Sequence, residues 1–303
     1  MAKFQRGVTA EANLHSLYLM FKARAGNEAE IRTILAGFQS IIETYSEDYS
    51  EAELSGFVAI GSEYWPQLYP NKTPIQLCEF PNFKAGHHFA PSTPYDLFIH
   101  IRSDRVDVNH LVGTYICHQL AECVYLQEQV KGFRYLDGRD FTGFIEAGDN
   151  PHGLKRQQVA LVNEKEDPLF AGGSYIHIQR YRHLLSLWQA LSETEQENVI
   201  GREKLSNRIL AQQDPFSHYQ TTHVLDENNE LIQVLNQSMP YGTMKSEGLF
   251  YIACCHTPIA FEQVLASRLG VESEYFDQLL NFTRAETGAA FFAPSVDFLI
   301  QNQ

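Results

Sequence analysis

Two observations predict an α+β chain built as two similar halves, each an antiparallel β-sheet with helices packed on it. The apolar period changes along the chain in the order strand, helix, strand, strand, helix, strand, and the second half repeats that order. Between the two runs lies an aperiodic stretch, residues 132–151 (GFRYLDGRDFTGFIEAGDNP), close to the middle of the 303 residues. That length fits two units of about 150 residues better than one simple core. The implied division is 1–131 for a first domain, 132–172 for a connecting loop and 173–303 for a second domain.

In the first half, residues 13–23 (NLHSLYLMFKA) have the apolar density of a strand, and 28–42 place Ile31, Ile34, Leu35, Phe38, Ile41 and Ile42 at helical spacing. Residues 54–61 (LSGFVAIG) are β-rich and end at Gly61. Residues 93–102 (TPYDLFIHIR) alternate Leu97, Ile99 and Ile101 against Phe98 and His100. A second helix starts at Asp104 and runs through Val108, Leu111, Val112, Tyr115, Ile116, Leu120 and Val124, and 130–135 close the unit as a strand.

The second half opens with a strand at 174–180 (SYIHIQR), followed by helical spacing over 182–191 through Leu184, Leu185, Leu187, Trp188 and Leu191. Ser192 with Glu195 makes a capping box for a further helix that ends at Gly201. Residues 239–242 (MPYG) read as a turn, 248–255 (GLFYIACC) as a buried strand, 261–269 as a helix and 291–294 (FFAP) as the closing segment. No residue-level repeat relates the halves; the likeness is one of element order.

Gly132, Gly138, Gly143, Gly148 and Pro151 permit or force unusual backbone angles, so 132–151 reads as an ordered, irregular loop. It carries Asp137, Asp140, Glu146 and Asp149. Carboxylates presented by a Gly-rich loop suit acid/base or ligand chemistry; a solvated connection between domains is the alternative.

The composition, 44% hydrophobic and 20% charged, is that of an ordinary globule, and no run of eighteen apolar residues exists to span a membrane. The first fifteen residues show neither an apolar export core nor twin arginines, so a cytoplasmic location is expected. A net charge of −14 argues against nucleic acid or anionic membrane as a partner. Five cysteines, Cys78, Cys117, Cys123, Cys254 and Cys255, read as free buried thiols. The group Cys117, His118 and Cys123 lacks the paired short gaps of a zinc site.

Four features of the second half bear on a cofactor: residues 201–204 (GREK), Ser217-His218, 236–242 (NQSMPYG) and 281–294. His218 follows a Pro-Phe-Ser turn and precedes the β-prone run 219–225, which aims an imidazole inward. His223, His183 and His256 are rivals, and a satisfied core histidine is the plainer reading.

The words GFRYLDGRDFTGFIEAGDNP, GGSYIHIQRY, IGREK, FSH, MPYG and ETGAAFFAPS, in this order, resemble the dye-decolourising (DyP-type) haem peroxidases, particularly their short bacterial branch. The likeness covers the central loop and almost the whole second half, with weaker likeness in IHIRSDR and SGFVAIGSEYW. It implies two ferredoxin-like domains, with haem b (iron protoporphyrin IX) held in the C-terminal one. It also makes His218 the metal ligand, bonding iron through Nε2, and places Arg202 near a haem propionate. Leu249 and Tyr251, on one face of a strand, are implied to cover the distal side. The implied partners are hydrogen peroxide or another small haem ligand and a small organic substrate, and the expected assembly is a homodimer or higher homo-oligomer.

Departures from the family pattern bear on activity. The family's Gly-x-x-Asp-Gly motif reads Gly143-Phe144-Ile145-Glu146-Ala147, which keeps the carboxylate one methylene longer. The distal arginine aligns with Asn236, a second polar position holds Ser238, and the acidic residue beside the proximal histidine aligns with Asn281. Losing one preorganised charge costs about 2.7–4 kcal/mol of barrier, roughly 10²–10³ in rate. The expected function is a haem-binding oxidoreductase of peroxidase type with weakened peroxide activation, in which Glu146 does the acid/base work beside Asn236 and Ser238. The alternatives are a haem enzyme acting on a small organic or nitrogenous ligand, and a haem carrier or sensor.

Overall fold

The computed structural model describes residues 2–303. In the first half the strands and helices follow the expected order: β1 (His15–Ala23), α1 (Glu28–Asp48), β2 (Ser55–Gly61), β3 (Leu97–Ser103), α2 (Val106–Leu120) and β4 (Val124–Phe133). The second half has β5 (Ser174–His183), α3 (Glu193–Ile200), α4 (His218–Thr222), β6 (Met239–Thr243), β7 (Ser246–Cys255), α5 (Pro258–Leu269) and β8 (Thr283–Ala293). The sheets run β2-β3-β1-β4 and β8-β5-β7-β6, with every pairing antiparallel. Counted within its own half, each sheet has the order fourth, first, third, second strand, so both are ferredoxin-like.

The halves also pair with each other, which no pattern within either half announces. β8 meets β2 at Phe291–Gly61 and Phe292–Ile60, and β4 meets β6 at Gly132–Tyr241, so the eight strands close on themselves. Closure removes the exposed edges of both sheets. Inside lie Tyr18, Met20, Phe57, Phe98, Ile178, Phe250 and Phe291, with the Tyr18 and Phe250 rings stacked at 4.1 Å. The alternation read from the sequence sends Leu97, Ile99 and Ile101 to the opposite face, where Ile31, Leu35 and Phe38 of α1 and Val108 and Val112 of α2 cover them. Phe261 and Leu265 of α5 cover the outer face of the second sheet in the same way.

Several local expectations are corrected. Residues 182–191 are not one helix: β5 continues to His183 because it is flanked on both sides, by β7 through Arg182 and by β8 through His183, and only Leu185–Trp188 is helical. The capping box of Ser192 and Glu195 does form, and α3 stops at Gly201 with φ 86°, the left-handed conformation that favours glycine. The MPYG segment is strand β6, and the turn falls at 244–245. Pro240 sits opposite Leu249 of β7, and it is tolerated because on its other side β6 touches β4 at one residue pair only, where a proline N–H is not needed. Residues 291–294 close not a short segment but an eleven-residue strand.

All five cysteines are free; Cys123, Cys254 and Cys255 are buried and the other two partly so. Among the described residues no helix is long and apolar enough to cross a membrane, and no three His, Cys, Asp or Glu side chains converge on a metal-ion cluster.

Candidate functional site

The segment 219–225, expected as a strand, begins instead as the helix α4. Ser217 caps it by accepting the Gln220 N–H at 3.3 Å. Thr221 and Thr222 are β-branched, but their hydroxyls donate back to the Ser217 and His218 carbonyls, which accommodates them in a helical turn. His218 therefore heads a capped helix. Its Nδ1 lies 2.8 Å from Oδ2 of Asp277, and Arg268 Nε donates to the same oxygen at 2.9 Å. Arg268 also donates to the Tyr181 hydroxyl at 3.2 Å, and that hydroxyl donates to Gln179 Oε1 at 2.8 Å.

Asp277 is fully buried. Burial alone would raise its pKa, but the neighbouring His218 and Arg268 outweigh it and hold the carboxyl at about 2. An ionised Asp277 accepts the Nδ1–H of His218, which fixes the tautomer and leaves Nε2 as the nitrogen with a lone pair. This corrects the assignment of Asn281 as the neighbour of His218. Asn281 is exposed at the end of the short helix Gln278–Asn281, whose first turn is capped by Oδ1 of Asp277 on the Leu279 N–H at 3.0 Å. Replacing Asp277 by Asn would leave Arg268 as a buried, unpaired cation. We expect Asp277→Asn to lose about 3–5 kcal/mol of unfolding free energy, read from the urea midpoint.

The central loop sorts its four carboxylates into different environments. Asp137 is exposed and paired with Arg139, and Asp149 is exposed and paired with Arg202 at 2.6 Å. Asp140 is buried 2.9 Å from Nε2 of His183; burial would raise its pKa, but His183 keeps it below the usual carboxylate range. Glu146 has no cation beside it. Its Oε1 accepts Nδ2 of Asn236 at 2.9 Å, and burial, with the charge of Asp140, pushes its pKa up to about 7. The backbone holds it in place through the Glu146 N–H on the Gly138 carbonyl.

Ala147, next to Glu146, has φ 53°, in the region an L-residue enters at a cost of roughly 1–2 kcal/mol. Glycine adopts this conformation freely but loses more chain entropy on folding. Ala147→Gly is therefore expected to raise stability by up to about 1 kcal/mol, measured by chemical denaturation.

His218, Glu146, Asn236, Tyr251 and Arg268 all line a cavity of about 470 Å³ and a smaller adjoining chamber of about 110 Å³. Leu249 faces the smaller chamber, and Arg202 the larger, where its guanidinium lies 5.0 Å from the Tyr219 ring. Asn236 is locked in place on three sides: its N–H and carbonyl bond the Asn150 amide, and its Oδ1 accepts the Ser238 N–H at 2.7 Å. Ser238 lines neither chamber, and its Oγ accepts the Ile252 N–H at 3.0 Å. Ser238 as a distal polar group is thus corrected: the sheet takes its hydroxyl.

The rival histidines are otherwise engaged. His183 is held at both nitrogens, by Thr283 and Asp140, and His256 pairs with Glu166. His223 lines the larger cavity but is exposed and stacks on Tyr219 at 5.1 Å. Asp277 and Arg268 are the residues that sequence reasoning missed. Asp277 carried a visible signal as an N-cap in front of a short apolar helix; Arg268, in the last turn of α5, looked like an ordinary helix-terminal cation.

Residues 5–134 match a family model described as Dyp-type peroxidase, N-terminal, and residues 137–298 one described as Dyp-type peroxidase, C-terminal. A dye-decolorizing peroxidase of Mycolicibacterium paratuberculosis is 35% identical over 289 residues, covering 94% of this chain and 81% of that protein. Among solved structures, a protein of Shewanella oneidensis assigned to the dyp-type peroxidases is 45% identical, with a TM-score of 0.96 and 99% of each chain covered. A Rhodococcus jostii RHA1 DypB variant in complex with heme is 31% identical, with a TM-score of 0.92 and 96% of each chain covered.

Proposed function

The chain belongs to the Dyp-type peroxidase family, and from that premise we propose that it binds haem b on His218 and reduces hydrogen peroxide at the expense of a small organic substrate, with peroxide activation weakened on the distal side. The observation that carries this reading is that one cavity is lined both by an imidazole fixed by a buried carboxylate and by a second carboxyl of raised pKa. The donor set fits haem: one imidazole with Nε2 open, apolar walls at Ile200, Ile232, Val234 and Val264, and Arg202, now paired with the exposed Asp149, as a cation for which a propionate would compete. Haem when bound supplies the redox chemistry for two-electron reduction of peroxide.

The residues of the chain supply the rest. Asp277 holds His218 in the tautomer that binds through Nε2 and keeps it electron-rich. Glu146 moves the proton: its free carboxylate oxygen takes one from the near oxygen of peroxide and returns it to the departing one. Its pKa of about 7 keeps both forms accessible near neutral pH. Asn236 orients Glu146 through Nδ2 but contributes a dipole where the family pattern has a charge, which lowers the stabilisation of the leaving oxygen. Leu249 borders the smaller chamber and Tyr251 both chambers. A homo-oligomer in the cytoplasm is the setting we propose.

The uncharged Asn236 also favours a second reading, in which the pocket holds a neutral organic or small nitrogenous ligand, as substrate or as signal. An optical spectrum of the haem-supplied protein, followed by peroxide addition, separates the two: turnover of a reducing dye supports the peroxidase, and a stable spectrum with no dye oxidation supports the second reading.

Arg202 gives a test that does not depend on turnover. A charge-assisted hydrogen bond contributes about 1.5–3 kcal/mol, or roughly 10–150-fold in affinity. Arg202→Glu is expected to weaken haem retention by that factor, measured by haem transfer to an acceptor protein. The same change at the exposed Arg208 should do far less; equal effects would show that only net charge matters.

A further inference from the structure

A second cavity, of about 420 Å³, shares Arg268 with the His218 cavity but plays no part in the chemistry above. Its apolar wall is Leu184, Leu187, Leu265, Leu269 and Leu280, and the hairpin formed by Lys84–Ala85 and His88–Phe89 brings Phe89 over it from the first half. At its buried end lies Gln179, 1% exposed, whose Nε2 has no hydrogen-bond partner. The orientation of that amide is fixed by its neighbours. Arg268 donates to the Tyr181 oxygen, so the single Tyr181 hydrogen goes to Gln179 Oε1, and Nε2 is the amide group left without a partner. Buried donors without an acceptor are rare in folded proteins, and one that borders a cavity marks where an acceptor belongs.

The charge of the wall gives the sign of the ligand. The chain as a whole carries −14, yet this cavity is bordered by two arginines and by no Asp or Glu. Asp277 neutralises Arg268, which leaves the exposed Arg284 as the cation available to an incoming anion. We propose that the cavity binds small aromatic carboxylates, with the ring against the leucines and the carboxylate accepting from Gln179 Nε2.

The probe is benzoate, titrated calorimetrically into the haem-loaded protein. One saturable site is expected, at least tenfold weaker for benzyl alcohol, which lacks the anion. Gln179→Leu should lower benzoate affinity at least tenfold. Leu187 is 56% exposed, so Leu187→Trp leaves the core intact and should obstruct the entrance with the same loss. Absence of saturable binding, or parental affinity in either variant, overturns the proposal. A haem-band shift with benzoate that persists in both variants places the ligand in the His218 cavity and overturns it as well. Because the readout is heat of binding, the result is independent of whether peroxide is the oxidant.

Discussion

Replacing His218 by Ala is expected to yield a folded protein that no longer retains haem in stoichiometric amount. The imidazole is 33% exposed and lies on the cavity wall, so its loss opens space in a site already open and leaves Asp277 still paired with Arg268. Far-ultraviolet circular dichroism should therefore match the parent, whereas the haem band after gel filtration should fall away or take the form of a weakly held iron. Two of the rival histidines cannot substitute without breaking existing bonds: His183 has both nitrogens engaged, and His256 is tied to Glu166. An unaltered haem band would sink the assignment and promote His223, the one other histidine on the larger cavity.

That prediction rests on a contact the sequence only half disclosed. Ser192 with Glu195 was legible because a capping box is a local signal, whereas Ser217-His218 was legible only through the family resemblance, since the β-prone run behind it hid the short helix that Ser217 caps. The strands of both halves were legible because each has one face in the closed interior and one under helices, which makes them short, nearly continuous apolar runs. What hid from the sequence was set by distance along the chain. The partner of His218 lies 59 residues away, and Asp277 was passed over for Asn281 because a four-residue helical turn separates two polar positions that a gapless reading cannot rank. The closure of the two sheets through Phe291–Gly61 and Gly132–Tyr241 was equally invisible, since it depends on pairing between halves. Leu185–Trp188 was overread as a long helix because leucines at helical spacing continued past a strand that tertiary pairing had already extended.

Correcting Asn281 to Asp277 changes the balance of the site. On the His218 side a buried, ionised carboxylate backs the imidazole, as an electron-rich ligand requires. On the proposed reading the deficit is then confined to the Glu146 side, where that carboxyl meets an amide in place of a cation. A defect on one side only is one that a single substitution can repair.

Asn236→Arg is expected to raise the rate of peroxide-dependent dye oxidation, by as much as the 10²–10³ that one preorganised charge supplies, and Glu146→Gln to lower it by roughly 10²–10⁴, the range of general acid–base catalysis. The pH profile checks that both act through the same proton. The groups that set the titration of Glu146 are Asp140, Asn236, His218 and His183, with burial the largest influence, and the pKa of about 7 means that turnover in the parent should rise with pH through that value as the carboxylate forms. A guanidinium at 236 favours the ionised carboxylate, so the midpoint should move to lower pH in Asn236→Arg. Stability moves the other way in the parent: a carboxyl whose folded pKa is raised from 4.5 to about 7 contributes fully below pH 4.5, and that contribution is lost as pH rises to about 7. Glu146→Gln, which cannot ionise, should flatten unfolding free energy over that window even if the variant has no activity to measure. If Asn236→Arg leaves peroxide consumption unchanged while the flattening is seen, Glu146 titrates in the cavity without serving peroxide, and the cavity it shares with His218 is the binding site of a different small ligand.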